Sequence, residues 1–506
     1  MEKNRLIAYN TLKTKIIDNF FCTECGACVA ACPTHALKIE NSQVTRLFDC
    51  SDILDLCPIC YEVCPHSEAL LLRSLEPLSD APVRSEAVGY FRKILLAQSN
   101  DPKRREQTHD GAVVTTLLTE GLKDKILDSA VVTQTEDANP IKPKSQVAIF
   151  QEEITKSTGS KFFPSSVMKA YGDAVLNYHR KNIAVVGLPC QVLALRKIDA
   201  WKHMISGKAK VIIGLFCFGT FSAAPFLKYI EREYKIPSSE IEKMHLSREL
   251  MVETKRGIIG IPMSEVKHNI LPSCKTCIDY TAEVSDISVG SGYPIKDWSV
   301  VIIRTKAGED YFNAAVEKGV INTLDIQHEP EVFERVIIAA LQKRTTGLIE
   351  GSKLEKSHSY VPVRFIRETE LLATVKVEDI MTKEITTVSS NMSVSNLLKI
   401  MATKAHAGYP VVEENGELSG VVTIEEASTV DQSSRTSTSV GSIARKNVDV
   451  CYPGETALDA FKKMSQLETG RIIVLDPENP KKMLGIISKR DLMHALVEQA
   501  SEAEPI

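Results

Sequence analysis

From about Val88 to Gln342, short apolar runs alternate with amphipathic stretches. "GAVVTTLLTEGLKDKILDSAVVTQ" reads as a helix followed by a strand. "KFFPSSVMKAYGDAVLNYHRKNIAVVGLPC" reads as a helix, a strand and a turn. "ISVGSGY" and "WSVVIIRTKAGEDYFNAAVEKG" repeat the passage from strand to turn to helix. Such alternation predicts an α/β layer structure. After the polar stretch "RTTGLIEGSKLEKSHSYVPVR" the pattern becomes an internal repeat. "MSVSNLLKIMATKAHAGYPVVEENGELSGVVTIEEA" is echoed by "ETALDAFKKMSQLETGRIIVLDPENPKKMLGIISKRDL". Each copy predicts an amphipathic helix, an apolar strand, a turn, a second strand and the start of another helix. Thr423 and Ser488 stand at the N-cap of that last helix. The Ser/Thr-rich "STVDQSSRTSTSVGS" joins the copies, and "EPLSDAPVRSE" is a connector near the other end. The chain therefore divides into residues 16–72, 88–342 and 376–500, an α+β multidomain protein with an α/β centre.

Length agrees with that division, since 506 residues suggest about three domains. A formal net charge of −4 gives no electrostatic reason to expect nucleic acid or an anionic membrane as a partner. No apolar run approaches the roughly 20 residues of a membrane span. "MEKNRLIAYNTLKTKIIDNF" lacks the apolar core and cleavage site of a signal peptide. Thirteen cysteines are an odd number in a long chain, so metal or cluster binding in a reducing cytoplasm is expected over a disulfide framework.

Eight of the cysteines lie between Cys22 and Cys64. "CTECGACVAACP" places Cys22, Cys25, Cys28 and Cys32 at the bacterial ferredoxin spacing for [4Fe–4S] ligation, ahead of Pro33. "CSDILDLCPICYEVCP" places Cys50, Cys57, Cys60 and Cys64 ahead of Pro65, with only the first gap expanded. In two-cluster ferredoxins the fourth cysteine of each run crosses to the other cluster. Cys64 should then join Cys22, Cys25 and Cys28, and Cys32 should join Cys50, Cys57 and Cys60. Structural zinc is the alternative, although zinc sites rarely use two interleaved runs ending in Cys-Pro. Cys190 ends "IAVVGLPC" and Cys217 lies in "VIIGLFCFGT", each where an apolar strand runs into a turn. Sites collect at such strand ends. With Cys274 and Cys277 of "CKTC" they can close a third cluster, or they can be buried hydrophobes, as free cysteines often are. Cys451 stands alone and reads as structural.

Residues 88–342 resemble the beta-subunit family of hydrogenases and dehydrogenases that use the 5-deazaflavin hydride carrier coenzyme F420. The resemblance rests on "HDGAVVTTLL", "TGSKFF", "GLPCQVLALR", "GLFCFGT" and "CKTCIDYTAEVSDISVGSG". It implies one [4Fe–4S] cluster at Cys190, Cys217, Cys274 and Cys277, and one FAD that exchanges hydride with coenzyme F420 as substrate. Many family members carry Gly-Gly where this chain has Asp110-Gly111. A ferredoxin piece ahead of this segment resembles the electron-input subunit of archaeal complexes that oxidise the reduced deazaflavin. The implied route runs from deazaflavin to flavin, to the third cluster, to the two ferredoxin-like clusters, and on to a ferredoxin or larger redox complex.

In that frame the FAD diphosphate needs N–H groups, hydroxyls and a cation. Gly159, Ser160 and Lys161 can offer all three, unless Lys161 is a solvated surface lysine. Gly111 and Thr115 stand at a helix start suited to anions. Asp286 can take a ribose hydroxyl or cap a turn. His109 is the one histidine in a plausible site loop. The C-terminal repeat resembles a CBS-domain pair, a module that commonly binds adenosine nucleotides. There the Thr/Ser-x-x-Asp element reads ribose, kept here as Ser488 to Asp491, whereas the first copy has Glu426 at the acidic position. Arg471 and Lys489 can neutralise phosphates. The alternative role of the repeat is dimerisation. For the whole chain two other readings compete: an electron-transfer protein with no small-molecule substrate, and a relative acting on another substrate such as sulfite.

Overall fold

The computed structural model describes residues 8–357 and 374–492 together with residue 495, apart from residues 41, 51–56, 72, 86, 109, 138, 247–248, 405–407, 467–470 and 489–490. His109 and Lys489 lie outside the described residues. The chain forms two compact units: residues 1–84, 88–328 and 342–352 make the first, and residues 85–87, 329–341 and 353–506 the second.

In the first unit the cysteine runs lie on short elements. α1 (Ala27–Ala30) follows the first loop, β1 (Leu37–Glu40) and β2 (Gln43–Arg46) form an antiparallel pair, and α2 (Ile59–Glu62) carries the second run. The α/β centre is an eight-stranded mixed sheet. Its strands are β3 (Lys93–Ser99), β4 (Ser129–Glu136), β5 (Asn139–Ala148), β6 (Ile183–Gly187), β7 (Ala209–Leu215), β8 (Ile287–Ser291), β9 (Ser299–Ile303) and β10 (Ile321–Asp325). Their order across the sheet is β10-β3-β9-β8-β7-β6-β4-β5. β4, β6, β7 and β8 run parallel, and β9 lies antiparallel between β8 and β3. The central strands are mainly apolar, as burial on both faces requires: every residue of β9 is buried. Helices α3 (Val113–Lys123), α4 (Val167–Leu176), α5 (Pro189–Ala200) and α6 (Lys306–Glu317) cover the sheet. These are the elements that the apolar alternation predicts. The pattern did not reveal a three-stranded antiparallel excursion over residues 241–261, which packs on Phe162, Phe163, Phe221 and Phe226.

The ferredoxin-like piece is not a separate body. Its Ala27, Ala30, Ala31 and Val63 belong to one apolar cluster with Met168 and Tyr171 of α4 and Val192, Leu195 and Ile198 of α5. Small residues permit the approach. A Cβ on Gly26 (φ +85°) would stand 2.8 Å from the Lys169 nitrogen, and one on Gly172 would stand 2.8 Å from the Ala30 Cβ. The Met168 N–H donates to the Cys25 carbonyl at 2.9 Å, and Ser166 Oγ donates to the Glu24 carbonyl at 2.9 Å.

The second unit holds two three-stranded sheets of matching topology. β11 (Val388–Ser389), β12 (Gly408–Val412) and β13 (Leu418–Thr423) make one; β14 (Val450–Cys451), β15 (Arg471–Leu475) and β16 (Met483–Ser488) make the other. In each, a parallel pair is followed by an antiparallel one. Cys451 is fully buried in the second core, beside Ala457, Ala460 and Ile487.

Candidate functional site

The two N-terminal runs fold across each other. The Cys22-to-Cys28 loop turns through left-handed residues Glu24 (φ 56°) and Gly26 (φ 85°). Its three cysteines and Cys64 of the other run line one cavity, together with Ile16, Val44, Pro65 and His66. The thiols respond to one another there. Burial lifts Cys22 to about 11 and Cys25 to about 12, and in both cases Cys64 adds to the rise. The second set gathers in the same crossed way. Burial raises Cys60 to about 12, with contributions from Cys57, Cys32 and Cys50. Burial also raises Cys50, and Cys32 is its next cause. Among the described residues no three His, Cys, Asp or Glu side chains draw together as tightly as a single metal ion requires. A four-iron cube, being larger than one ion, holds its sulfur ligands farther apart.

The third set forms at the carboxyl edge of the parallel strands. Cys190 follows β6 in the first turn of α5, where Pro189 is tolerated because its missing N–H would have no helical partner. Cys217 follows β7, and its N–H donates to the Tyr280 carbonyl at 2.8 Å. Cys274 lies in the short helix Pro272–Lys275, and Cys277 follows it. Burial pushes the Cys190 thiol well up, and Cys25, Cys274, Cys217 and Cys277 push it further. Cys25 belongs to the first set, so the third set adjoins the first. A cation also stands at the third set. Lys343 Nζ donates to the Phe218 carbonyl at 2.8 Å. Burial works against its charge, but Cys217, Cys277 and Cys274 outweigh that and raise its pKa.

The predicted flavin residues divide. α3 begins at Ala112 (φ 57°), which provides no side-chain cap. Its first-turn amides, including that of half-buried Thr115, therefore have no helical partner and suit an anion. Gly111 itself is packed in. Its N–H donates to Ser299 Oγ at 3.1 Å, and a Cβ there would stand 2.5 Å from the Ala97 carbonyl oxygen. Its part is thus to let the loop approach the sheet, not to offer the free N–H expected of it. Gly159 and Ser160 are exposed, while Lys161 folds back and donates to the carbonyls of Ser157, Thr158 and Gly159. Burial and Lys243 lower the Lys161 pKa to about 8, so it is not a solvated surface lysine.

The expectation that Asp286 takes a ribose hydroxyl is corrected. Asp286 is 6% exposed, and both its oxygens are engaged inside the protein. Oδ1 accepts from Arg196 and Thr305 at 2.7 Å, and Oδ2 accepts from the Ile212 N–H at 2.8 Å. It ties α5, β7 and the turn into α6 together. A buried carboxylate with these partners would become costly if any of them left.

Aromatic side chains connect the loops at Asp110 and Lys161 to the third cysteine set. Asp110 accepts from Ser291 Oγ at 2.7 Å, and burial lifts its carboxyl. Burial raises the Tyr280 hydroxyl to about 12, with Cys217 and Asp110 as the next causes. The Tyr280 ring lies 5.3 Å from that of Phe216. On the other side the Phe162 ring, next to Lys161, lies 6.1 Å from Phe218, next to Cys217. The sequence reading missed Tyr280, Lys343 and Lys197. The residue positions alone could have suggested the last, because Lys197 falls seven residues after Cys190 on one helix face.

In the second unit Thr423 and Ser488 close matching local bonds. The Thr423 N–H donates to Glu426 Oε2 at 2.7 Å, and the Thr423 hydroxyl donates to the same oxygen. The Ser488 N–H and hydroxyl donate to Asp491 Oδ2, both at 2.7 Å. The remaining oxygens differ. Glu426 Oε1 pairs with Arg445 at 3.0 Å, whereas among the described residues Asp491 Oδ1 has a long contact, 3.5 Å, from Thr382 Oγ. Arg471 donates to the Gly408 carbonyl at 3.3 Å.

Known proteins resemble separate parts of the chain. Residues 94–171 match the model of the N-terminal part of the coenzyme F420 hydrogenase/dehydrogenase beta subunit, and residues 180–329 match the model of its C-terminal part. Residues 15–38 match a 4Fe-4S binding domain, and residues 377–430 and 440–498 match CBS domains. The beta subunit of the coenzyme F420 hydrogenase of Methanococcus voltae is 31% identical over 263 residues, 51% of this chain and 92% of that one. The F subunit of the F(420)H(2) dehydrogenase of Methanosarcina mazei is 30% identical over 341 residues, 66% of this chain and 92% of that one. Among solved structures, a chain of the F420-reducing [NiFe] hydrogenase complex from Methanosarcina barkeri superimposes with a TM-score of 0.51 at 26% identity. That match covers 54% of this chain and 94% of that one.

Proposed function

The chain belongs to the coenzyme F420 hydrogenase/dehydrogenase beta-subunit family, and from that premise we propose that it carries electrons between reduced deazaflavin and a ferredoxin or larger redox complex through FAD and three [4Fe–4S] clusters. The supporting observation is that each set of four cysteines gathers at its own place, with Cys25 next to Cys190. The clusters would be held by Cys22, Cys25, Cys28 and Cys64, by Cys32, Cys50, Cys57 and Cys60, and by Cys190, Cys217, Cys274 and Cys277. A bound flavin supplies the exchange between a hydride, worth two electrons, and carriers of one. The residues that would hold it are the first-turn amides of α3 with Thr115 for the diphosphate, and the loop of Gly159, Ser160 and Lys161. Because Lys161 bonds its own loop, its charge would act on the diphosphate through space and keep that loop in shape. Tyr280 and Phe216 would wall the flavin on the side of the third cluster. Protein purified without oxygen should release about one FAD per chain on denaturation, as one such site requires. A chain that holds no flavin and takes none up would be an electron wire without its own small-molecule substrate.

The CBS pair would bind an adenosine nucleotide and adjust activity or assembly. Glu426 is engaged through both oxygens, whereas Asp491 keeps one weakly held, which supports one competent ribose site. Calorimetry with AMP, ATP and S-adenosylmethionine should detect a single site. Asp491→Ala should abolish it and Glu426→Ala should leave it. If none of the three binds, the repeat serves dimerisation instead.

A further inference from the structure

Helix α5 joins two of the cysteine sets by more than Cys190. Two turns farther along the same face stands Lys197, which is fully buried. Its Nζ donates to the Cys64 carbonyl at 2.7 Å, to the Ser67 carbonyl at 2.8 Å and to Ser67 Oγ at 3.1 Å. Three acceptors match the three hydrogens of an ammonium group. The side chain crosses from the α/β layer to the turn that follows Cys64, so it holds a cation beside the first set. A charge enclosed by protein is screened far less than one at the surface.

Tying down the turn after Cys64 needs only a hydrogen-bond donor. A neutral side chain could do that. Only a cation stabilises negative charge added nearby. Reducing a [4Fe–4S] cluster adds one electron, and the net charge, hydrogen bonding and burial around it set its potential. We propose that Lys197 is a positioning residue that raises the reduction potential of the cluster held by Cys22, Cys25, Cys28 and Cys64. The electron leaving the third site is thereby drawn onto the first and held there until the second site takes it. One electron enters and one leaves; Lys197 stays protonated throughout, and no bond forms or breaks. The inference rests on the cluster reading proposed above.

The test is a redox titration of the anaerobic holoprotein followed by electron paramagnetic resonance. Wild-type iron content and the loss of one couple in Cys22→Ala report on the cluster reading. The position of that couple in Lys197 variants reports on the lysine. Lys197→Gln keeps a donor and removes the charge. At fixed poise its first-site cluster should be at least tenfold less reduced, a fall of about 59 mV for a one-electron couple. The other two couples should not move. A first-site couple unchanged in Lys197→Gln, with iron retained, overturns the proposal. If Lys197→Gln loses that iron, Lys197→Arg decides. With the charge kept, its couple should stay within about half a decade of wild type, and a tenfold fall in this variant too overturns the proposal.

Discussion

Replacing Cys274 with alanine is expected to remove about a third of the iron, leaving about eight of roughly twelve atoms per chain. The reason is geometric. Cys190, Cys217, Cys274 and Cys277 come from three separate segments, and with one gone three thiols of that set remain, the neighbouring Cys25 being committed to the first set. The other two sets share no cysteine with this one, so their iron should stay. The sheet should hold too, because Cys274 lies on a short helix outside it. Iron analysis with absorbance of the anaerobic protein checks this. Unchanged iron in the variant, or zinc in the wild type, would refute the third cluster.

Cys64→Ala should also remove about a third of the iron, but from the site of the other run. If the runs were not crossed, this change would damage the cluster of Cys50, Cys57 and Cys60. The fold predicts that it empties the cavity lined by Cys22, Cys25 and Cys28. Cys32→Ala should do the reverse. The functional effects then differ. Without the first site, electrons reach the third site and stop, since Cys25 of the first set is the neighbour of Cys190. Reduction of the second site by a small dithionite excess would survive, while its reduction through the flavin would fall by orders of magnitude. If Cys64→Ala and Cys60→Ala lose the same resonance signal, the runs are not crossed.

The cysteine sets were legible in the sequence because cysteine spacing is local and carries its own geometry. The crossing of Cys32 and Cys64 follows from that spacing, and the structure gathers the thiols accordingly. Cys190 and Cys217 were legible in a weaker sense. Apolar runs ending in turns placed them at strand ends, but only folding brings those ends beside residues 274–277. Asp286 was misread because its partners are distant in the chain. Arg196 arrives from α5 some ninety residues earlier, and nothing near Asp286 announces a buried ion pair. Gly111 was misread for a similar reason: Ser299, which takes its N–H, lies on β9. The excursion over residues 241–261 has mixed burial along its strands, so its alternation is weak. The union of ferredoxin piece and α/β centre was hidden by the polar connector, which marks a boundary in sequence while α4 and α5 close it in space.

The central claim is that one chain passes electrons from deazaflavin through a flavin to its clusters. Its most direct test is to add reduced coenzyme F420 to the anaerobic, oxidised protein and to record the full spectrum over time. The account predicts that flavin absorbance bleaches, that cluster absorbance then falls, and that two electrons appear on the protein for each deazaflavin oxidised, as a hydride donor requires. Flavin and clusters that stay oxidised while the reduced deazaflavin persists would contradict it.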